Sequence, residues 1–254
     1  MNDFAVRRRE FSCAARNKTI TPEGEMNNYK TTARVVGMVY LAGFVAGIAG
    51  NTIIQTILGA PNHLSIVSAH SSTLAIGALL WLIAVAGDVA HGVLMFPILK
   101  QHNERTAVGY LAFRIVDAVF IAVMVLFILL QIPLGSEYLK TAGAETYHLH
   151  ALSTISVKAS QFAYDIAMST LGIAGLILCC SFYRTTLIPR WVTAWGFVGY
   201  AIIFCGMISE MMGSGLGLLS SIPGGLWEVF VGVWLIVKGF NHPVINYESS
   251  KTDK

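Results

Sequence analysis

Charge is what this sequence has least of. Only 12% of its 254 residues are Asp, Glu, Lys or Arg, against about 25% in an ordinary soluble domain. Hydrophobic residues reach 55%, so too little polar surface is left to clothe a water-soluble fold. Cysteine is scarce as well. Cys13 lies near the start and Cys179, Cys180 and Cys205 fall in apolar runs, which implies no disulfide framework. There is no Gly-rich phosphate loop, no HExxH and no GxSxG, so no cofactor is implied. Ser153 and Thr154 have no evident base and acid arrangement around them. The first 25 residues have no apolar core of 7–15 residues and so do not read as a secretory signal.

What is present is long apolar runs. About 20 residues at 1.5 Å each cross a hydrocarbon core of roughly 30 Å. Six stretches are long enough: about 33–58, 74–98, 107–132, 159–181, 191–212 and 216–240. They leave no room for a separate soluble domain. The expectation is an all-α, polytopic bundle of six transmembrane helices over 31–242, with tails at 1–30 and 243–254. The stretch 146–159, TYHLHALSTISVKA, has no helix breaker and is expected to extend the fourth helix. Gly43, Gly47 and Gly50 share one face of the first helix, where small residues let helices approach closely.

The few basic residues are not scattered. Lys30 and Arg34 start the first span. Lys100 and Arg105 flank the second connection, Arg184 and Arg190 the fourth, and Lys238 ends the last span. The 59–73 and 213–215 connections have neither Lys nor Arg, and Lys140 and Lys158 in 133–158 are set against Glu137 and Glu145. The alternation places both termini in the cytoplasm and 133–158 outside. Orientation accounts for the net charge of +3, which calls for the lipid bilayer as partner and for no nucleic acid. Residues 1–25 differ from the rest. Met26 directly precedes the membrane entry, so 1–25 read either as a basic tail or as upstream sequence that is not translated natively.

Function in such a chain is sought among polar residues inside the spans, because a charge there costs about 2.5–3.5 kcal/mol on insertion scales. These are Asn51 and Gln55, Asp88 and His91, Arg114 and Asp117, Asp165, Glu210 and Glu228. The heptad FRIVDAV (113–119) carries two of them inside an otherwise almost wholly apolar run, 107–132. The second and third spans form a hairpin around KQHNER (100–105), whose midpoint falls between His102 and Asn103. His91 and Arg114 are equidistant from it, as are Asp88 and Asp117. Residues three apart share a helix face, so the four are expected to meet, with Arg114 paired to Asp117, Asp88 or both, about 15 Å from the membrane edge. A structural ionic staple and a functional polar cavity are both open at this point.

The last span holds SSIPGGLWEVF (220–230). Pro223 reads first as the opening residue of a helix over 223–240. The alternative is a broken span with Glu228 near a half-helix N-terminus. Five acids then stand in the membrane with Arg114 as the one certain base, a balance that suits proton or cation coupling. Asp88, His91, Arg114, Asp117 and Glu228, with Asp165 and Asn51, form the candidate ligand-binding set. His63, His70, His148 and His150 fall outside the spans at spacings that match no metal motif.

TARVVGMVYLAGFVAGIAGN (32–51), LKQHNERTAVGYLAFRIVDAV (99–119), PRWVTAWGFVGY (189–200) and PGGLWEVFVGVWLIVKGFN (223–241) together resemble the bacterial multi-pass membrane family catalogued as domain of unknown function 4386. The resemblance covers about 31–242. It implies a bacterial cytoplasmic-membrane location and no particular activity. The residues themselves favour a small transporter or ligand-binding membrane protein for an unidentified small molecule or ion. An intramembrane enzyme acting on lipid, with His91 as base, and an accessory membrane subunit are the alternatives.

Overall fold

The computed structural model describes residues 22–141 and 145–241. The tail 1–21, with the native-start question it raises, lies outside the described residues. Within them the chain forms eight helices and no strand: α1 (Pro22–Leu58), α2 (His63–Ala69), α3 (Ser71–Lys100), α4 (Glu104–Leu129), α5 (Gln131–Lys140), α6 (Glu145–Thr185), α7 (Arg190–Met211) and α8 (Gly217–Val237). Six segments are long and apolar enough to cross a membrane, running Lys30–Leu58, Ser71–Lys100, Glu104–Lys140, Thr146–Thr185, Arg190–Met211 and Gly217–Val237. All six expose large apolar side chains outward, among them Val45, Ile83, Val119, Phe162, Val198 and Val233. Apolar surface on that scale needs lipid to cover it. The molecule is a multi-pass helical membrane protein.

The six long helices close a ring in chain order. α1 packs on α3, α3 on α4, α4 on α6, α6 on α7, α7 on α8, and α8 returns to α1. Short connections make successive helices antiparallel, and an even number lets the last close on the first in the same sense. Helix axes pack at roughly 8–10 Å. A regular hexagon at that spacing would leave room for a seventh helix along its axis, and here side chains fill it. The largest fully buried ones include Trp227, Tyr110 and Tyr200.

Glycine permits two of the contacts that close the ring. A Cβ on Gly37 of α1 would stand 2.5 Å from the Gly232 carbonyl of α8, and one on Gly50 would stand 2.8 Å from the Gly77 carbonyl of α3. The α1 face carrying Gly43, Gly47 and Gly50 does meet α3, at Ala84, Trp81 and Gly77.

The hairpin turn is capped by its own sequence. Asn103 accepts a hydrogen bond from the Thr106 amide at 3.2 Å, a standard N-cap, while Lys100 and Glu104 pair at 2.9 Å.

The 59–73 connection contains α2, and much of 133–158 is helical, as α5 and the start of α6. These short helices pack together, with Gly135 so near Leu64 that an added Cβ would lie 2.9 Å from its carbonyl. The stretch 146–159 does extend the fourth long helix, as expected. Pro223 neither starts the last helix nor breaks it. α8 begins at Gly217 and runs through. Proline removes one backbone bond, but close packing of Gly224 and Pro223 on Gly199 of α7 holds the turn in place.

A buried polar cluster and a vestibule

The apolar core has two parts, one around Met95, Phe182 and Leu235 and the other around Ile54, Leu74 and Ile128. Between them lies a polar layer, built from the middle turns of several helices. The register of the α3–α4 hairpin brings Arg114 to Asp88, Nη2 to Oδ1 at 2.5 Å. Arg114 Nη1 stands 3.7 Å from Asp117 Oδ2, one helical turn along. Arg114 therefore faces both aspartates. They differ in setting. The Asp88 side chain is 26% accessible and that of Asp117 is fully buried. Both carboxylate oxygens of Asp117, and Arg114 Nε, make no hydrogen bond among the described residues.

His91 belongs to the same layer but not to the ion pair. Its Nδ1 lies 2.6 Å from the Tyr110 hydroxyl, and its ring stacks on Tyr40 with centroids 4.4 Å apart. The Tyr40 hydroxyl lies 2.6 Å from the Tyr200 hydroxyl. Both hydroxyls lie within hydrogen-bond reach of Glu228 Oε1, at 3.2 Å from Tyr40 and 2.9 Å from Tyr200, and with one proton each they donate in two of the three contacts at a time. Glu228 is thus reached from α1 and α7. Trp227 beside it donates its indole N–H to the Val192 carbonyl at 2.7 Å. Five of the seven candidate residues therefore gather in one layer: Asp88, His91, Arg114, Asp117 and Glu228.

Sequence reasoning missed the three tyrosines that join His91 to Glu228. The available signal was a hydroxyl in a membrane span, which requires a partner.

Asp165 and Asn51 lie elsewhere. They line a cavity of about 550 Å³ that also takes in Gln55, Trp81, Gln161, Tyr164 and Glu210. It sits at the end of the ring opposite the 101–103 turn, and every long helix contributes to it. Glu210 is more than a wet acid there. Its Oε2 accepts from the Gly217 amide at 2.7 Å, satisfying one of the free N–H groups at the start of α8. Tyr164 lies between cavity and polar layer. Its ring meets Trp81 edge-on at 6.0 Å, and it is within electrostatic reach of Asp165 on one side and Asp117 and Glu228 on the other.

At the end of the bundle where α2 packs, Ser153 has a partner that the sequence did not reveal. His63 Nε2 lies 2.7 Å from Ser153 Oγ, because α2 folds back toward α6. Ser153 Oγ also donates to Gln131 Oε1 at 2.6 Å, and Gln131 Nε2 donates to the Ser153 carbonyl at 3.3 Å. Ser153 is fully buried, so the group is a clasp among α2, α5 and α6 rather than an open nucleophile. Burial and the neighbouring His150 hold the His63 pKa below its usual 6.5. The other outer histidines take separate partners. His70 Nδ1 lies 3.2 Å from the Ile66 carbonyl, His150 packs on Tyr138 and His148 on Tyr147. Among the described residues no three His, Cys, Asp or Glu side chains gather as metal ligands.

The fold and the polar layer define a multi-pass helical membrane protein with an ionic centre. The chain belongs to the family described as Domain of unknown function (DUF4386), whose sequence model matches residues 35–239. No curated protein and no solved structure matches it.

Proposed function

We propose that this protein is a small transporter or ligand-binding membrane protein whose working centre is the polar layer around Arg114, in a bacterial cytoplasmic membrane with both termini inside. The observation that carries the reading is Asp117. It is a fully buried carboxyl with no hydrogen bond among the described residues, set beside a guanidinium that already serves Asp88. Buried polar groups in folded proteins nearly always have partners, and an exception calls for an explanation. A carboxyl placed to exchange a proton, or to receive a polar ligand, supplies one. Asp88, Asp117 and Glu228 surround a single arginine, so charge balance in a low dielectric engages protons or cations. Hydrogen-bonded Tyr40, Tyr200 and Glu228, with His91 and Tyr110 beside them, extend the layer across the ring. An enzyme acting on lipid has less support, since His91 is enclosed by Tyr40 and Tyr110 with no nucleophile in contact.

Asp117→Asn tests the reading, because it removes the titratable group with almost no change in volume. The chain is reconstituted in vesicles that trap a pH-sensitive dye, and proton entry is followed under an imposed gradient. Wild type is expected to admit protons above the protein-free rate, and a folded Asp117→Asn variant is expected to lose that excess. An equal rate in both refutes the role of the polar layer.

A further inference from the structure

The cavity at the end of the ring has a chemistry of its own. Its lining holds two carboxylates, Asp165 and Glu210, and no Lys, Arg or His. Glu210 is fixed by its bond to the Gly217 amide. Asp165 is not fixed. It is only 7% exposed, yet its carboxylate makes no hydrogen bond and no ion pair among the described residues. The charges in its reach are Glu210, of like sign, and Lys158, an exposed side chain two turns along the same helix. A carboxylate on a largely buried residue that lines a cavity, with no ion pair among the described residues, can serve as counter-charge to a cation.

The rest of the lining narrows the kind of cation. Trp81 and Tyr164 present aromatic surface to the same space, and aromatic faces attract alkylammonium groups through their quadrupole. Asn51 and Gln161 add neutral acceptors. A bare metal ion would need several oxygens converging at about 2.3–2.6 Å. No three His, Cys, Asp or Glu side chains gather among the described residues, and 550 Å³ is the size of a small-molecule site.

We infer that this vestibule binds a small organic cation with an alkylammonium head, held by Asp165 and packed against Trp81 and Tyr164. The inference rests on the transporter or ligand-binding reading and gives it a ligand class. Tyr164 and Trp81 form the floor of the site, and the polar layer lies beyond them. The bound cation therefore waits one aromatic layer away from Asp117 and Glu228.

The test uses the purified full-length chain in lipid nanodiscs at equilibrium, with no gradient. Choline is titrated against its neutral carbon isostere, 3,3-dimethylbutan-1-ol, and against sodium, with binding read by calorimetry. Choline is expected to bind saturably in the millimolar range or tighter, and the isostere and sodium not to. Asp165→Asn should weaken choline about tenfold or more, and Lys158→Gln, on an exposed side chain, should tighten it roughly twofold by removing a competitor. Equal binding of choline and isostere, equal binding of sodium, or indifference to both Asp165→Asn and Lys158→Gln overturns the inference. Absence of choline binding while proton entry still depends on Asp117 defeats the vestibule site alone. Choline binding that depends on Asp165, with proton entry indifferent to Asp117, defeats the polar-layer reading alone.

Discussion

Asp117 lies one turn from Arg114 on the same helix, yet the two charged groups stand 3.7 Å apart while Asp88, on the neighbouring helix, is held at 2.5 Å. The hairpin, not the local helix turn, therefore supplies the main counter-charge. Arg114→Ala should leave Asp88 and Asp117 without a cation and cost about 3–5 kcal/mol of stability. Asp88→Asn should cost more than Asp117→Asn. Replacing the three together, Arg114→Leu with Asp88→Leu and Asp117→Leu, should recover most of the loss. Folded yield and thermal unfolding in detergent measure all four. A wild-type melting curve for Arg114→Ala would show that the layer bears no stability.

The hydrogen-bonded tyrosines predict coupling across the ring. Tyr40→Phe and Tyr200→Phe should each cost about 1–2 kcal/mol, since each removes a bond to Glu228 and one side of the hydroxyl–hydroxyl contact. The double variant should cost less than the sum, because both side chains serve the same carboxylate. Strict additivity would mean that the three groups act independently.

The six spans were legible because twenty-residue apolar runs admit few other structures. The meeting of Asp88 with Arg114 was legible for a geometric reason. A short turn fixes the register of an antiparallel hairpin, so counting outward from 102–103 pairs the depths. The tyrosines were not legible in that way. Tyr40 and Tyr200 are 160 residues apart, and nothing local says that α1 and α7 flank α8 on its two sides. Asp165 and Asn51 enter the candidate set only as polar residues within spans. The ring separates them, because they belong to its far end and the cluster to its middle. Pro223 misled in the other direction. Local propensity called for a helix start, and tertiary packing against Gly199 carried the helix through.

Ring closure rests on backbone contact between α1 and α8. Gly37→Ala would bring a methyl group to 2.5 Å from the Gly232 carbonyl, and backbone cannot yield as a side-chain tip can. A destabilisation of about 1–3 kcal/mol is expected, with faster cysteine labelling at positions engineered along the α1–α8 seam. Gly109→Ala is the control, since its nearest neighbour, Ile177 Cδ1, would be 3.9 Å away. Equal stability of the two variants would remove the close seam.

Topology gives a prediction independent of the cluster. With Lys100 and Arg105 at one turn, and no Lys or Arg in 213–215 at the opposite end of the ring, the hairpin turn should be cytoplasmic. Single cysteines at Gln101 and Ser214, in a chain with its native cysteines replaced, should label oppositely with a membrane-impermeant maleimide in whole cells. Ser214 is expected to react and Gln101 only after lysis. The reverse pattern would invert the whole bundle, and with it the side from which the vestibule opens.

The His63 clasp predicts a dependence on pH. Its folded pKa is lowered by burial and by His150, so the unfolded chain takes up a proton at this site more readily than the folded one. The clasp's contribution is complete above about 6.5, the unfolded value, and is lost progressively as pH falls from there through the lower folded value. Hydrogen exchange of α2 amides in nanodiscs should accelerate over that window at constant temperature, once corrected for the intrinsic pH dependence of exchange. His63→Gln keeps a polar group near Ser153 without a titrating ring, and should flatten the response between pH 7 and the acid limit of the folded protein. If α2 in the variant still opens with the wild-type pH profile, another group controls the clasp.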